Sequence, residues 1–315
     1  MPEASLSPGE QAARELAGSI QARVRAARRF QGLPAPLAYA LTRRAVAFAG
    51  HNSPPDAAAQ RHGFEQDWCR ATLSHADPGT AWQAARQAYA ASLVNLHWHR
   101  ERLARIARLV CSRDPEYASL LAEPGGALVT TFHHDFHHTL FALTGAAGRT
   151  VRVIAAPEDS SPLFPWLGEL IHAQHRDCAL HFSGGDYLFT QDEGSAGLAV
   201  AHALRRGELV FSLHDVGAGT GVRSEPAQVF VRAFAAPSGA LELAMRLRRP
   251  IYFAALVWLP ERQGYHVHTQ RLTPDPARPL AAYTAALEAL VHRHPWAWTG
   301  WQWVSQWPAA QSPHA

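Results

Sequence analysis

The chain has 315 residues, of which 47% are hydrophobic and 17% charged, and this composition excludes an intrinsically disordered protein. All 29 basic residues are Arg, and with 26 acidic residues they leave a net charge of +3, which is too small to indicate a nucleic-acid partner. The three cysteines, Cys69, Cys111 and Cys178, form no CxxC pair and support neither a disulfide framework nor a zinc knuckle.

The N-terminal part of the chain is predicted to be mostly helical. Between Gly9 and Arg29, apolar residues recur at helical spacing among arginines, which indicates a basic amphipathic helix. Such a helix either lies on the protein surface with a solvated polar face or contacts a membrane surface or an acidic partner. Helical composition also characterises residues 37–48, 64–73 and 80–109.

The sequence carries no signal for a leader or a membrane span. The N-terminus lacks a basic segment followed by an apolar one. The longest clean apolar run, Ile251 to Leu259, is about half as long as a helix that crosses a bilayer. We therefore expect a protein that is neither cleaved at its start nor inserted in a membrane.

From Gly125 onward, short β-branched or aromatic runs alternate with helical stretches. Strands are predicted in the segments GGALVTTF (125–132), TVRVIAAP (150–157), CALHF (178–182), ELVFSL (208–213), AQVFVRAF (227–234) and PIYFAALVWL (250–259). Helices are predicted around Leu140, Leu167, Leu198 and Leu243, and from Ala281 to His294. This alternation predicts an α/β fold with a mixed, mostly parallel central sheet flanked by helices.

We divide the chain accordingly into three parts. Residues 1–120 form an N-terminal helical extension that packs on the core, and residues 121–307 form the α/β core. Residues 308–315, which are rich in Pro, Ser and Ala, form a disordered tail.

The most unusual segment is TTFHHDFHHTL, which directly follows the first predicted strand of the core. Within six residues it contains His133, His134, Asp135, His137 and His138. The end of a strand just before a helix is where open α/β sheets build their sites. Three interpretations remain open: a neutral His acting as general base, a Zn²⁺ or Fe²⁺ site on histidines four residues apart, or loop and cap histidines with no chemical task.

A second pair of polar residues, His214 and Asp215, follows the predicted strand at 208–213. Two parallel strands that end in His and Asp can converge on one crevice, so Asp215 is a candidate catalytic or substrate-orienting group. Alternatively, Asp215 caps a local turn. The chain has no GxGxxG, GxxxxGK[ST] or GxSxG motif, which disfavours nucleotide-dependent and serine-hydrolase chemistry.

The order of these motifs resembles the lysophospholipid acyltransferase superfamily, and within it the lauroyl/myristoyl lipid A acyltransferase branch, over roughly residues 23–307. The block FHHDFHHTL is similar to the family's HxxxxD/E motif, with His133 at the position of its catalytic His. Later segments match in the same order, and they are VRVIAAPED, GELVFSLHDV with Asp215 at the acidic position, PSGALELAMRLRRPIYFAALVWL and HPWAWTGWQWV.

The chain departs from the family pattern at specific positions. His138 stands where the HxxxxD/E motif has its carboxylate, so His138, Asp135 or Asp215 would take over that role. Ala156 replaces an Arg of a later motif, and the N-terminal membrane helix of the lipid A enzymes is not expected here. The resemblance therefore does not indicate lipid A as the acceptor.

The resemblance implies transfer of a fatty acyl chain from an acyl carrier protein or coenzyme A thioester to a hydroxyl or amine of a lipid-like or small-molecule acceptor, with no metal or other cofactor. It implies His133 as the general base, and the residues expected to share the catalytic work are His138, Asp135 and Asp215. Contacts to substrate are expected from His134, His137 and His214. Apolar residues of the N-terminal half, including Leu93, Leu96 and Trp98, would line an acyl groove or belong to the core.

We expect the protein in the cytoplasm, with peripheral contact to the inner face of the membrane through its basic N-terminal helix. Two other functions remain open. The histidine cluster could serve a metal-dependent hydrolase or oxygenase, or the chain could be a non-catalytic relative that binds acyl chains or lipids.

Overall fold

The computed structural model describes residues 100–111, 113–134, 136–155, 174–190, 193–217, 222–230, 232–262 and 264–302, together with Arg29, Leu37, Leu41, His172 and Trp307. The helices are α1 (Arg100–Cys111), α2 (Pro115–Ala122), α3 (His137–Ala146), α4 (Glu193–Arg205), α5 (Gly239–Arg246) and α6 (Ala281–Arg293), and residues 174–179 are also helical. The strands are β1 (Ala127–Thr131), β2 (Val151–Ala155), β3 (Asp186–Phe189), β4 (Leu209–Leu213), β5 (Ser224–Val229), β6 (Arg232–Pro237), β7 (Ile251–Leu259) and β8 (Gly264–Leu272).

The central sheet has the strand order β3-β2-β4-β1-β7-β8. All neighbouring pairs are parallel except β7 and β8, which run antiparallel, and β5 and β6 form a separate antiparallel hairpin. The predicted α/β fold with a mixed, mostly parallel sheet is thus confirmed. Every residue of β1 is buried, as expected for a parallel strand that helices cover on both faces.

The sheet separates two hydrophobic cores. Leu128 and Val210 point to the face covered by α4, α5 and α6. Their chain neighbours Val129 and Phe211 point to the opposite face, where the ring of Phe211 lies 4.8 Å from that of Phe141 on α3. This alternation along β1 and β4 follows from the two-residue period of a strand, and it fixes which face each residue at the strand ends can reach.

The last described part of the N-terminal extension packs against the core. The side chain of Asp114 accepts a hydrogen bond from the Tyr117 backbone N–H at 2.9 Å and caps α2, and Pro115 occupies its first turn. The buried Tyr117 hydroxyl then lies 3.0 Å from Thr144 Oγ1 of α3. Helix α1 also packs on α3, so both helices support the element that follows His133.

The strand predicted at residues 178–182 is wrong. Cys178 and Ala179 end the helical segment, the chain turns, and the strand of this region is β3. A strand would place Cys178, Leu180 and Phe182 on one face, yet Cys178 and Phe182 are fully buried while Leu180 is 75% exposed. Five residues of apolar sequence are too few for periodicity to distinguish a strand from a helix end.

The single strand predicted at residues 227–234 is also wrong, because the chain reverses direction within it. Phe230 has φ of 54°, and Val229 pairs with Arg232 across the turn, so the segment forms the β5–β6 hairpin. Strand β8 was not predicted. It lies at an edge of the sheet and carries several His, Gln and Arg residues, which masks its strand pattern in the sequence.

Other predictions fall where the structure is not described. The helices at 9–29, 37–48 and 64–73 lie outside the described residues, apart from three residues that are helical. The same holds for the helix around Leu167, for Ala156, for Asp135 and for the tail at 308–315. Among the helices that the structure describes, none is long and apolar enough to cross a bilayer.

Candidate active site

His133 and Asp215 meet at the carboxyl edge of the sheet. Strands β1 and β4 are parallel neighbours whose last residues, Thr131 and Leu213, are paired. The residues that follow each strand therefore emerge side by side. His133 Nδ1 lies 2.8 Å from Asp215 Oδ1, and the His133 backbone N–H donates to both carboxylate oxygens at 3.0 Å. We call this pair the dyad.

The carboxylate of Asp215 is fully buried and charged. The Trp298 indole N–H donates to its Oδ2 at 2.9 Å. Burial by itself raises the pKa of a carboxyl, but the charge and hydrogen bonds of His133 and the indole of Trp298 outweigh burial and lower the pKa of Asp215. Because an ionised carboxylate only accepts hydrogen bonds, Nδ1 of His133 must carry a proton, and Nε2 is then the basic nitrogen. The His133 side chain is 32% exposed, so substrate can reach it.

The backbone of the dyad is held by the segment 294–302, which we call the closing segment. His134 and Trp298 form an isolated antiparallel bridge. The backbone N–H of Thr299 donates to the His133 carbonyl at 2.9 Å, and the Thr299 hydroxyl donates to the same oxygen. In the sequence, Trp298 belongs to a segment that resembles the family, and no local pattern singles out Thr299. The signal available in the sequence was the dense aromatic run HPWAWTGWQW.

The other histidines of the cluster lie behind the dyad. His134 is fully buried, and burial lowers its pKa well below the ordinary value. His137 donates from Nδ1 to the His134 carbonyl, and its ring centroid is 5.6 Å from that of His133. Burial and the neighbouring His133 lower the pKa of His137 to about 3, so it stays neutral at neutral pH. These two residues, both expected to contact substrate, lie in the packing around His133.

His138 is the second residue of α3, and its ring lies close to two other imidazoles. Its centroid is 4.0 Å from that of His137 and 5.7 Å from that of His175. Burial is the main cause that lowers the pKa of His138. The carboxylate that bonds to His133 is that of Asp215, at the end of the neighbouring strand β4. Among the residues with described positions, no group of three or more His, Cys, Asp or Glu side chains is arranged to hold a metal ion.

A cavity of about 400 Å³ lies at the carboxyl ends of β2 and β4. It lies between α4 and α5, on the sheet face opposite α3, and its lining is mostly apolar: Ile154, Ala196, Gly197, Val200, Val222, Pro237, Gly239, Ala240 and Leu243. Thr190, Ser212, His214 and Arg223 supply its polar groups. His214 precedes Asp215 in the chain, so the cavity and the dyad share one strand end.

The polar groups of the cavity are already neutral or paired. His214 donates from Nδ1 to the Pro237 carbonyl at 2.6 Å, and burial lowers its pKa to about 4. Arg223 makes two contacts of 2.7 Å with the carboxylate of Glu242, which also accepts a hydrogen bond from Ser238. The described residues that line the cavity therefore offer no uncompensated cation for a phosphate, and they suit an apolar ligand.

No protein-family model matches the chain, and no curated protein matches it significantly. The function proposed for the chain therefore rests on the chemistry of the dyad and of the cavity.

Proposed function

We propose that the protein transfers a fatty acyl chain from an acyl carrier protein or coenzyme A thioester to a hydroxyl or amine of a lipid-like or small-molecule acceptor. The observation that carries this proposal is the dyad, a partly exposed imidazole whose Nδ1 donates to a buried, charged carboxylate. This pairing sets the tautomer of a general base and stabilises the imidazolium that forms when it takes a proton.

The reaction follows from that arrangement. Nε2 of His133 takes the proton of the acceptor hydroxyl or amine while the acceptor atom bonds to the thioester carbonyl carbon. When the tetrahedral intermediate collapses, the carbon–sulfur bond breaks and the imidazolium returns the proton to the leaving thiolate. Helix α3 begins four residues after His133, and the positive end of its dipole supports the oxyanion of the intermediate.

The cavity supports an acyl chain as the transferred group. Its apolar lining and the pairing of Arg223 with Glu242 favour hydrocarbon over a charged ligand. The residues expected from the sequence to line an acyl groove, Leu93, Leu96 and Trp98, lie outside the described residues. We assign acyl selection to α4 and α5 because these helices form walls of the cavity.

The proposal is tested by thiol release from the purified full-length chain. With acyl-carrier-protein and coenzyme A thioesters of different chain lengths, we expect thiol to appear only when an acceptor is present, together with an acylated product detected by mass spectrometry. Binding of thioesters without turnover would instead identify an acyl-binding protein. Dialysis against a chelator should leave turnover unchanged, whereas a loss restored by Zn²⁺ or Fe²⁺ would favour the metal-dependent alternative.

We also propose that the reaction takes place in the cytoplasm at the inner face of the membrane. Support comes from the basic amphipathic helix predicted in residues 9–29, which suits an anionic lipid surface. In the thiol-release assay, the acceptor should therefore react faster when it is presented in anionic vesicles than in vesicles of neutral lipid. Equal rates on anionic and neutral vesicles would contradict the proposed membrane location, but they would not contradict the proposed acyl transfer.

Filling the cavity should change which thioesters react. Gly197 lies on α4 at the cavity wall, and a Cβ built there meets no atom within 4 Å, so Gly197→Trp can add an indole without a backbone clash. We expect kcat/KM for long-chain thioesters to fall about tenfold or more, while short-chain thioesters keep their rate. The measurement is the chain-length profile of thiol release.

The neighbouring residue provides the control for this variant. Leu198 is on the same helix, is 62% exposed and does not line the cavity, so Leu198→Trp adds the same bulk outside it. Its chain-length profile should match that of the unmodified protein. If both variants had the unmodified profile, the acyl chain would have to bind elsewhere.

A further inference from the structure

We propose that Trp298 is a positioning residue of the dyad, whose indole N–H holds the Asp215 carboxylate in the orientation that accepts from His133 Nδ1. The catalytic consequence rests on the proposed function, whereas the positioning itself does not. Trp298 lies in the closing segment, 83 residues beyond Asp215 in the chain.

Each oxygen of the carboxylate has its own fixed side-chain donor. Oδ1 accepts from His133 Nδ1 at 2.8 Å, and Oδ2 accepts from Trp298 Nε1 at 2.9 Å. The backbone N–H of His133 lies between them, 3.0 Å from both oxygens. Asp215 and Trp298 are buried, so bulk water does not compete for these bonds. Without the indole N–H, the carboxylate could turn about its Cβ–Cγ bond and lose alignment with Nδ1.

The indole itself is held in one place by the rest of the closing segment. A Cβ at Gly300 would lie 2.0 Å from Trp298 Cε2, so the ring rests directly on the glycine backbone. The ring of Trp301 meets it at 4.9 Å, and that of Phe230 lies at 6.0 Å. The bridge between His134 and Trp298 ties the backbone of the same residue to the strand end that carries His133.

Trp298 contributes to the electrostatics of the dyad without adding a charge. Among the described residues, the titratable groups that face Asp215 include His133 from the β1–α3 connection, His137 at the start of α3, His214 from the end of β4, and the buried Tyr283 hydroxyl from α6. The indole donates to the ionised form of Asp215 and so favours it over the protonated form. Removing this donor should make the carboxylate easier to protonate.

The test compares Trp298→Phe with Trp301→Phe. Both residues are buried indoles of the same cluster, and each donates one hydrogen bond, Trp301 Nε1 to the Pro295 carbonyl at 2.8 Å. The two variants lose the same atoms, but only Trp298→Phe removes a donor from Asp215. We expect Trp298→Phe alone to lower kcat about tenfold with little change in KM. Titration of the Asp215 carboxyl carbon by ¹³C NMR should move to higher pH in that variant alone.

A second variant disturbs the hydrogen bond between Trp298 and Asp215 without deleting a hydrogen-bond donor. Gly300→Ala keeps every hydrogen-bonding group and displaces the indole, so it should shift the Asp215 titration and kcat in the same direction as Trp298→Phe. This variant also tests the positioning role of Trp298 if Trp298→Phe does not fold.

The carbon titration needs no turnover, so the two proposals fail separately. A shifted titration in a protein that never releases thiol would uphold the positioning role and remove the proposed reaction. The positioning role would be overturned if Trp298→Phe, or Gly300→Ala in its place, had the same Asp215 titration and the same kcat as Trp301→Phe. The indole of Trp298 would then contribute only packing.

Discussion

Replacing His133 with alanine should abolish acyl transfer while the fold is retained. The imidazole is the proposed base, and its removal leaves no group at that position to take the acceptor proton, so turnover should fall about a thousandfold or more. The side chain is 32% exposed, so its truncation removes little from the hydrophobic cores. Thiol release measures the loss, and circular dichroism with thermal unfolding reports the fold.

His133→Asn is the matched control for the loss of the hydrogen bond to Asp215. The Asn side-chain amide can donate to Asp215 from near the position of Nδ1, but it has no counterpart of the basic Nε2. We expect His133→Asn to be as inactive as His133→Ala and closer to the unmodified protein in thermal stability, because the buried carboxylate keeps a donor. Turnover near the unmodified rate in either variant would remove His133 from the mechanism.

Local sequence patterns indicate where the candidate site lies better than they indicate how it is assembled. His133 and Asp215 both follow runs of buried apolar residues, and local patterns suffice to identify such strand ends. The pairing of β1 with β4 depends on the strand order of the whole sheet. Strands β2 and β3 lie between β1 and β4 in the sequence, but in the sheet they lie on the far side of β4 from β1. Finding that Asp215 is bonded to His133 therefore required the strand order, and Asp135 lies outside the described residues.

Long-range contacts also explain what sequence reasoning missed. Trp298 reaches Asp215 from the closing segment, and no local period links residues 83 positions apart. The cavity is built from the ends of β2 and β4 and from two helices, so its apolar residues look in sequence like ordinary core positions. The errors at 178–182 and 227–234 arose where short apolar runs are equally compatible with a helix end, a turn or a strand.

Replacing Asp215 with asparagine should lower turnover about a hundredfold to ten-thousandfold, the range that a positioned general base contributes, because the imidazole is left in the wrong tautomer. The variant keeps the shape of the side chain and removes its charge. The His133 and Trp298 side chains both donate to Asp215, but the amide of asparagine has only one accepting oxygen. Its NH₂ group therefore faces either His133 or Trp298. If it donates to His133 Nδ1, the proton of the imidazole moves to Nε2, and the base is lost.

Asp114→Asn is the control for this change of charge. Asp114 is also a buried aspartate that accepts a backbone hydrogen bond, and asparagine caps a helix about as well as aspartate, so this variant should keep both its stability and its turnover. The assay is thiol release across a pH series at saturating thioester. A small loss in Asp215→Asn together with a large loss in His138→Gln would transfer the role of the carboxylate to His138. A large loss in Asp215→Asn, with little loss in His138→Gln and in Asp135→Asn, would mean that this chain supplies the carboxylate of its base from the neighbouring strand β4 and needs none in the block that contains His133.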